Sequence, residues 1–229
     1  MVQQRFRVWF KKGERVRYIS HLDVLRFWER AIRRAELPLS YSQGFTPHPK
    51  IAFAGPLPLG FVGERELMDV TLDERVPVAD FRERIKAETS EDLALVDIAE
   101  VPLSSPAPQA SVAWGYYRVD LLGVTAESAS ETIRDFLAKA DFAWTEEKKE
   151  KTKTYNLREA VATMSAAPAE GGATLTMRLR ADQEMTGRPE QVLAALFPEV
   201  EFGVITRTAI LLDEPSPARD LWRRRGQYL

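Results

Sequence analysis

The two histidines of the chain, His21 and His48, both fall in one stretch, Tyr18 to Lys50. Imidazole titrates near neutrality, so either histidine is suited to general acid/base work. The candidate catalytic residues are His21 or His48, with Tyr41 or Tyr18 and Lys50. The same stretch supports a binding chemistry. Arg26, Arg30 and Arg33 are spaced by four and three, so they share one helix face. With Arg34 and Lys50 they are suited to neutralising phosphates. Tyr41 or Phe45 is suited to stacking a base, and Gln43, His21 and His48 to hydrogen-bonding a base edge or a phosphate. The plainer reading is a solvated arginine face with local pairs, beside a packed loop whose His48 caps a backbone carbonyl.

Composition removes several function classes. Cysteine is absent, which excludes disulfides, thiolate zinc sites, cysteine-ligated clusters and cysteine nucleophiles. Two histidines without His-x-x-x-His spacing make a metal site unexpected, and no cofactor is expected. Ser/His/Asp nucleophile motifs, a phosphate-binding P-loop and a dinucleotide fingerprint are missing. No apolar run approaches the ~18 residues of a membrane span. The opening MVQQRFRVWFKKG has no signal-peptide core, so a cytoplasmic location is expected. The net charge of −2 hides an asymmetry. Residues 1–50 carry 11 Lys and Arg against 4 Asp and Glu, and residues 51–103 carry 5 against 12. A basic third of +7 is what a polyanion contact can look like. Alternatively, it pairs internally with the acidic −7 third.

The elements that position these residues follow from periodicity. Residues 4–10 alternate, with Phe6, Val8 and Phe10 on one face and Arg5, Arg7 and Trp9 on the other, as in a half-buried strand. Ser20 and Asp23 form a capping-box start for a helix over His21–Ala35, with Leu22, Leu25, Trp28, Ile32 and Ala35 as its buried stripe. Glu29 is placed to pair with Arg33. Leu37-Pro38 closes the helix. In the loop Tyr41–Lys50, Gly44 permits an unusual backbone, while Pro47 and Pro49 stiffen it. Strands over 51–59, 66–72 and 93–103 and a helix over 78–86 complete a βαββαβ unit, residues 1–103. A Pro/Ser linker over 104–111 follows. A second unit over 112–213 repeats the pattern: strand 112–122, helix 125–140, a charged strand-like segment 142–161, strand 173–180, helix 189–196 and strand 202–212. Residues 214–229 form a basic tail. The expected fold is α+β: tandem ferredoxin-like (βαββαβ) domains with antiparallel sheets.

The run RVRYISHLDVLRFWERAIRRAELPLSYSQGFTPHPKIAFAGPLPLG resembles the radical-SAM-linked protein family, a domain of unknown function encoded beside, or fused behind, radical-SAM proteins. Ile19-Ser20-His21-Leu22-Asp23 and Tyr41 to Lys50 carry the resemblance, specifically over residues 5–70 and loosely thereafter. Thr46 departs from the family's asparagine. The resemblance implies a radical-SAM protein partner on a separate chain, often with a cobalamin-binding portion. It also implies a neighbourhood of ribonuclease and ribosomal-protein genes. Lacking cysteine, this chain would be the accessory subunit and not the radical enzyme. The expectation is a non-catalytic RNA-binding accessory protein in tRNA or rRNA modification or processing, with no DNA and no membrane partner. Tandem ferredoxin-like folds with a histidine near the first helix also resemble the metal-independent CRISPR-type endoribonucleases, which implies acid/base work on the RNA 2′-hydroxyl and its leaving oxygen by His21 or His48, with Tyr18 or Tyr41 and Lys50, although no Gly-rich clamp lies near the C-terminus. A pure protein-interaction subunit is the third reading.

Overall fold

Strand β1 (Gln4–Lys12) is buried on both faces, and it sits between two neighbouring strands of the first sheet. Phe6, Val8 and Phe10 are buried as expected, but so are Arg7 and Trp9, at 1% and 4% exposure. Sequence alternation gave a half-buried strand because an arginine in a strand ordinarily faces water. Arg7 is held instead by a buried carboxylate. Its Nε and Nη2 donate to the two oxygens of Asp69, at 2.9 and 3.1 Å, and the Nε of Arg5 lies 3.6 Å from the same group.

The computed structural model describes residues 3–148 and 151–213, and of 147, 148 and 151–153 the backbone alone. The basic tail expected over 214–229 lies outside the described residues. The chain divides into two compact units over the described residues. One comprises Met1–Leu59, Arg65–Val112 and the chain from Leu212; the other comprises Gly60–Glu64 and Ala113–Leu211. The short segment 60–64 therefore belongs with the second unit and not the first. Both units are mixed α+β with mostly antiparallel sheets.

In the first unit β1 leads through a 3-10 turn (Glu14–Val16) to α1 (His21–Arg34), β2 (Ile51–Phe53), β3 (Val62–Leu72), α2 (Val78–Glu88), β4 (Leu95–Val101) and the short α3 (Pro108–Ser111). The strand order is β4-β1-β3, with β2 on the other edge of β3. The capping box forms as read: Ser20 Oγ accepts from the Asp23 amide while the Asp23 carboxylate accepts from the Ser20 amide. The buried stripe of α1 is shifted from expectation, to Val24, Trp28, Ala31 and Ile32. Leu22 is 58% exposed because the helix axis turns that position outward. Trp28 meets Phe10 edge-on at 5.3 Å, and Phe6 meets Phe81 at 4.8 Å. Sequence reading overextended β2, since Pro56 and Pro58 cannot donate to a ladder.

The second unit runs β5 (Val112–Leu122), α4 (Ala126–Leu137), β6 (Ala143–Lys148), β7 (Lys151–Asn156), α5 (Leu157–Ala160), β8 (Val161–Ala169), β9 (Gly172–Arg180), α6 (Pro189–Leu196) and β10 (Thr206–Leu212). Its order is β10-β5-β9-β8, and Val62 and Gly63 run parallel beside Thr206 and Arg207. The charged segment expected as a sheet strand over 142–161 is instead a separate hairpin, β6–β7. The sheet strand is β8, VATMSAAPA, whose alanines and Pro168 give little β signal. An edge position tolerates such a sequence. The closing strand starts at Thr206, not at residue 202. Gly171 (φ 75°) turns β8 into β9, and a Cβ on Gly172 would fall 1.9 Å from the carbonyl oxygen of Leu121.

Removing one partner of a buried ion pair leaves an uncompensated charge. Asp69→Ala is expected to lower unfolding free energy by about 3–5 kcal/mol in urea titration, and Ser20→Ala by about 1 kcal/mol through its lost cap. Arg26→Ala, on an exposed pair, is expected to change it by less than about 1 kcal/mol.

Candidate functional site

Much of the basic surplus of the first 50 residues is spent inside the unit. Besides Arg5 and Arg7 on Asp69, Arg15 lies 3.9 Å from Asp92, and Arg34 pairs with Glu88 at 2.6 Å and also donates to its carbonyl oxygen. Arg34 therefore ties α1 to α2. Sequence spacing cannot report this, because Glu88 is far along the chain. What remains outward is the stripe Leu22, Arg26, Arg30 and Arg33 of α1, all exposed. Arg26 has only the exposed, local Asp23, at 3.4 Å. Among the described residues Arg30 and Arg33 make no ion pair. The expected Glu29–Arg33 pair gives way to a different one: the Tyr41 hydroxyl donates to Glu29 Oε1 at 3.1 Å. Burial, and then the Glu29 contact, push the Tyr41 phenol above its ordinary value, with Arg33 working against them.

That bond also fixes the loop against the helix. Its stem is sewn to the end of β3: the Ser40 amide donates to the Thr71 carbonyl, the Thr71 amide to that of Lys50, and the Lys50 amide to that of Ser40. Tyr41 and Pro49 form a bridge. The Ser42 amide donates to the His48 carbonyl at 2.8 Å, and the His48 amide to Ser42 Oγ at 2.9 Å. His48 thus closes the loop with its backbone, and its imidazole is exposed. Gln43, Gly44, Phe45 and Thr46 form the open tip. Gly44 sits at φ 129°, and Phe45 is fully exposed. Phe45 is thus presented wholly to water at the tip of a hydrogen-bonded stem.

His21 lies elsewhere, at the N-terminus of α1. Its ring meets Phe53 edge-on at 4.8 Å, over a cleft lined by Phe10, Lys12, Val24, Leu57 and Glu66. Lys12 and Glu66 are buried, at 2% and 3% exposure. Lys12 Nζ donates to the carbonyls of Arg17 and Ile19, at 3.0 and 3.2 Å, and so holds the turn that leads into α1. Burial pushes the His21 imidazole below its ordinary value. The Glu66 charge opposes that push, and the Lys12 charge adds to it. No hydrogen bond to a described residue occupies the imidazole nitrogens. The candidate set His21, His48, Lys50, Tyr41 is therefore dispersed over differently placed features: His21 over the cleft, His48 and Lys50 at the loop, Tyr41 on Glu29. Tyr18, 71% exposed, lies under the Arg17 guanidinium at 4.9 Å.

Lys12 and Glu66 are residues that motif reading passes over. A signal existed: Lys12 shares the parity of Phe6, Val8 and Phe10, and Glu66 that of Met68 and Val70. Each places a charge on an apolar face. Among the described residues no helix is long and apolar enough to cross a membrane.

With a folded pKa below the ordinary 6.5, His21 binds fewer protons folded than unfolded between the two values. Stability is thus expected to rise with pH through that window and to level off above 6.5. Proton NMR is expected to show His21 titrating below 6.5, and lower still in Glu66→Gln, where the opposing charge is gone.

Comparison with known proteins supplies a family and little more. No curated protein matches the chain. Among solved structures, a chain of a Cbf5-Nop10-Gar1 complex is similar at 12% identity and a TM-score of 0.47, over 90% of this chain. This chain spans 48% of the length of that one. An unknown protein from Galdieria sulphuraria is similar at 14% identity and a TM-score of 0.26, over 91% of this chain and 100% of its own length. Neither likeness bears on function. The family model described as "Uncharacterized protein conserved in bacteria (DUF2344)" matches residues 5–189, and the chain belongs to that family.

Proposed function

We propose that the protein is a non-catalytic RNA-binding accessory subunit, whose first unit offers RNA the outward stripe of α1 and the tip of the Tyr41–Lys50 loop. One observation carries the reading. Arg30 and Arg33 keep exposed charges with no carboxylate partner among the described residues, beside a hydrogen-bonded loop that presents Phe45 wholly to solvent. Unpaired guanidiniums release counterions on meeting phosphates, and a rigid aromatic stacks an unpaired base without preference for its identity. Arg26, Lys50, His48 and Gln43 extend the same surface. Arg34 and Tyr41 support it from behind, through Glu88 and Glu29, and do not themselves contact RNA. The strand orders β4-β1-β3-β2 and β10-β5-β9-β8 support reading each unit as ferredoxin-like, the second with the β6–β7 hairpin inserted. In this reading the partner is a radical-SAM protein on another chain, and the task is presentation of tRNA or rRNA for modification or processing.

A second reading has one observation in its favour. The His21 imidazole, pushed by burial below its ordinary value and with no described residue bonded to its nitrogens, lies over a cleft lined by the buried Lys12 and Glu66. A metal-independent endoribonuclease would use that group as its base, and not the dispersed set with His48, Lys50 and Tyr41. Cleavage of RNA by the purified protein, lost in His21→Ala, selects this reading.

The binding reading is tested by filter retention of bulk small RNA across salt concentrations. The double variant Arg30→Glu/Arg33→Glu is expected to weaken retention at low salt and to reduce the slope of log K against log salt by about 1.4, from two lost phosphate contacts. Unchanged affinity and slope refute the role of α1. Retention of a protein partner without RNA turns the stripe into a protein dock.

A further inference from the structure

The two units share a strand order, yet the sheet faces turned away from their helices differ. In the first unit that face is sealed. Arg7 and Asp69 are buried in it, and Arg5 Nη2 donates to the carbonyls of Pro102 and Ser105, drawing the following segment across. In the second unit, Tyr117, Val119 and Leu121 of β5 and Leu175, Met177 and Leu179 of β9 fill the core. Their alternate neighbours carry different chemistry. Trp114, Tyr116 and Arg118 on β5 lie opposite Arg180, Arg178 and Thr176 on β9, and Thr163 and Ser165 continue the rows on β8. These positions range from half-buried to exposed.

Arg178 is the centre of this face. Its guanidinium carbon lies 4.8 Å from the Trp114 ring centroid. Its Nε is buried without a hydrogen-bond partner, and among the described residues no carboxylate pairs with it. Tyr116 stands directly across the ladder. A fixed, unneutralised guanidinium layered on an indole, next to a phenol and a row of hydroxyls, is chemistry suited to unstacked bases and their backbone. We propose that this face of the second unit binds single-stranded RNA, with bases stacking on Tyr116 and on the Trp114–Arg178 layer, phosphate at Arg178, and the Thr and Ser hydroxyls at ribose 2′-hydroxyls. Its ligand class rests on the RNA reading above; its location and residues do not. The neighbouring arginines are neutralised: Arg118 pairs with Glu64, and Arg180 with Asp182 and Glu184, while Asp120 at the end of the row accepts from Thr174. Stacking therefore outweighs ion release here, and the salt dependence of this site is shallow.

The test uses the full chain and a fluorescein-labelled single-stranded RNA of about twelve nucleotides, with the matching duplex as comparison. Tyr116→Leu removes the stacking ring while leaving an apolar side chain, Arg178→Gln removes the charge while leaving a polar one, and circular dichroism checks their fold. Each is expected to weaken single-strand binding about tenfold with little change in duplex binding. RNA is expected to quench indole fluorescence in the parent and less so in Trp114→Phe. Parental affinity in both variants, with no loss of quenching in Trp114→Phe, overturns the inference. If Arg30→Glu/Arg33→Glu loses binding while the sheet variants do not, the sheet site falls and the α1 site stands. The reverse pattern removes the α1 site and keeps the sheet. A parent that binds neither probe overturns both.

Discussion

The bidentate bond between Arg7 and Asp69 decides how the first unit can be used. An arginine and an aspartate buried at 1% and 3% are tolerable only as a pair, because either charge left alone in the interior is expensive. By meeting there, with Arg5 alongside, they take guanidiniums out of the apparent basic surplus. Exposed guanidiniums remain on α1, beside the loop sewn to β3. Arg34 on Glu88 continues the same partition, so the outward stripe narrows to the guanidiniums that no interior carboxylate claims.

The fold was legible where periodicity and punctuation were strong. The capping box at Ser20 and the helix that begins at residue 78 could be read directly. The second sheet strand of the second unit could not. β8 is an alanine-rich edge strand with a proline, whereas β6 and β7, charged and alternating, look more like sheet than the sheet does. Strand propensity measures fit to a half-buried pleated surface, and an isolated hairpin can satisfy it as well.

The candidate site was legible in part. The loop and the arginine spacing were visible because proline, glycine and helical repeat act locally. What sequence could not say is which arginine meets which carboxylate, since Asp69 and Glu88 lie far along the chain from Arg7 and Arg34. The same limit applies to His21 and His48: their shared stretch left open whether they share a site, and one lies over a cleft with Lys12 and Glu66 while the other closes a loop. Parity was the neglected signal. A lysine and a glutamate on the core-facing positions of β1 and β3 mark that cleft, and an aromatic and arginine ladder on β5 and β9 marks the open sheet.

The most direct test of RNA binding by the first unit is photo-crosslinking of the full chain to single-stranded RNA, with the attached peptides identified by mass spectrometry. The account predicts adducts on the peptide that carries Phe45 and on α1 around Arg30. RNA that crosslinks while leaving both peptides unmodified would contradict it.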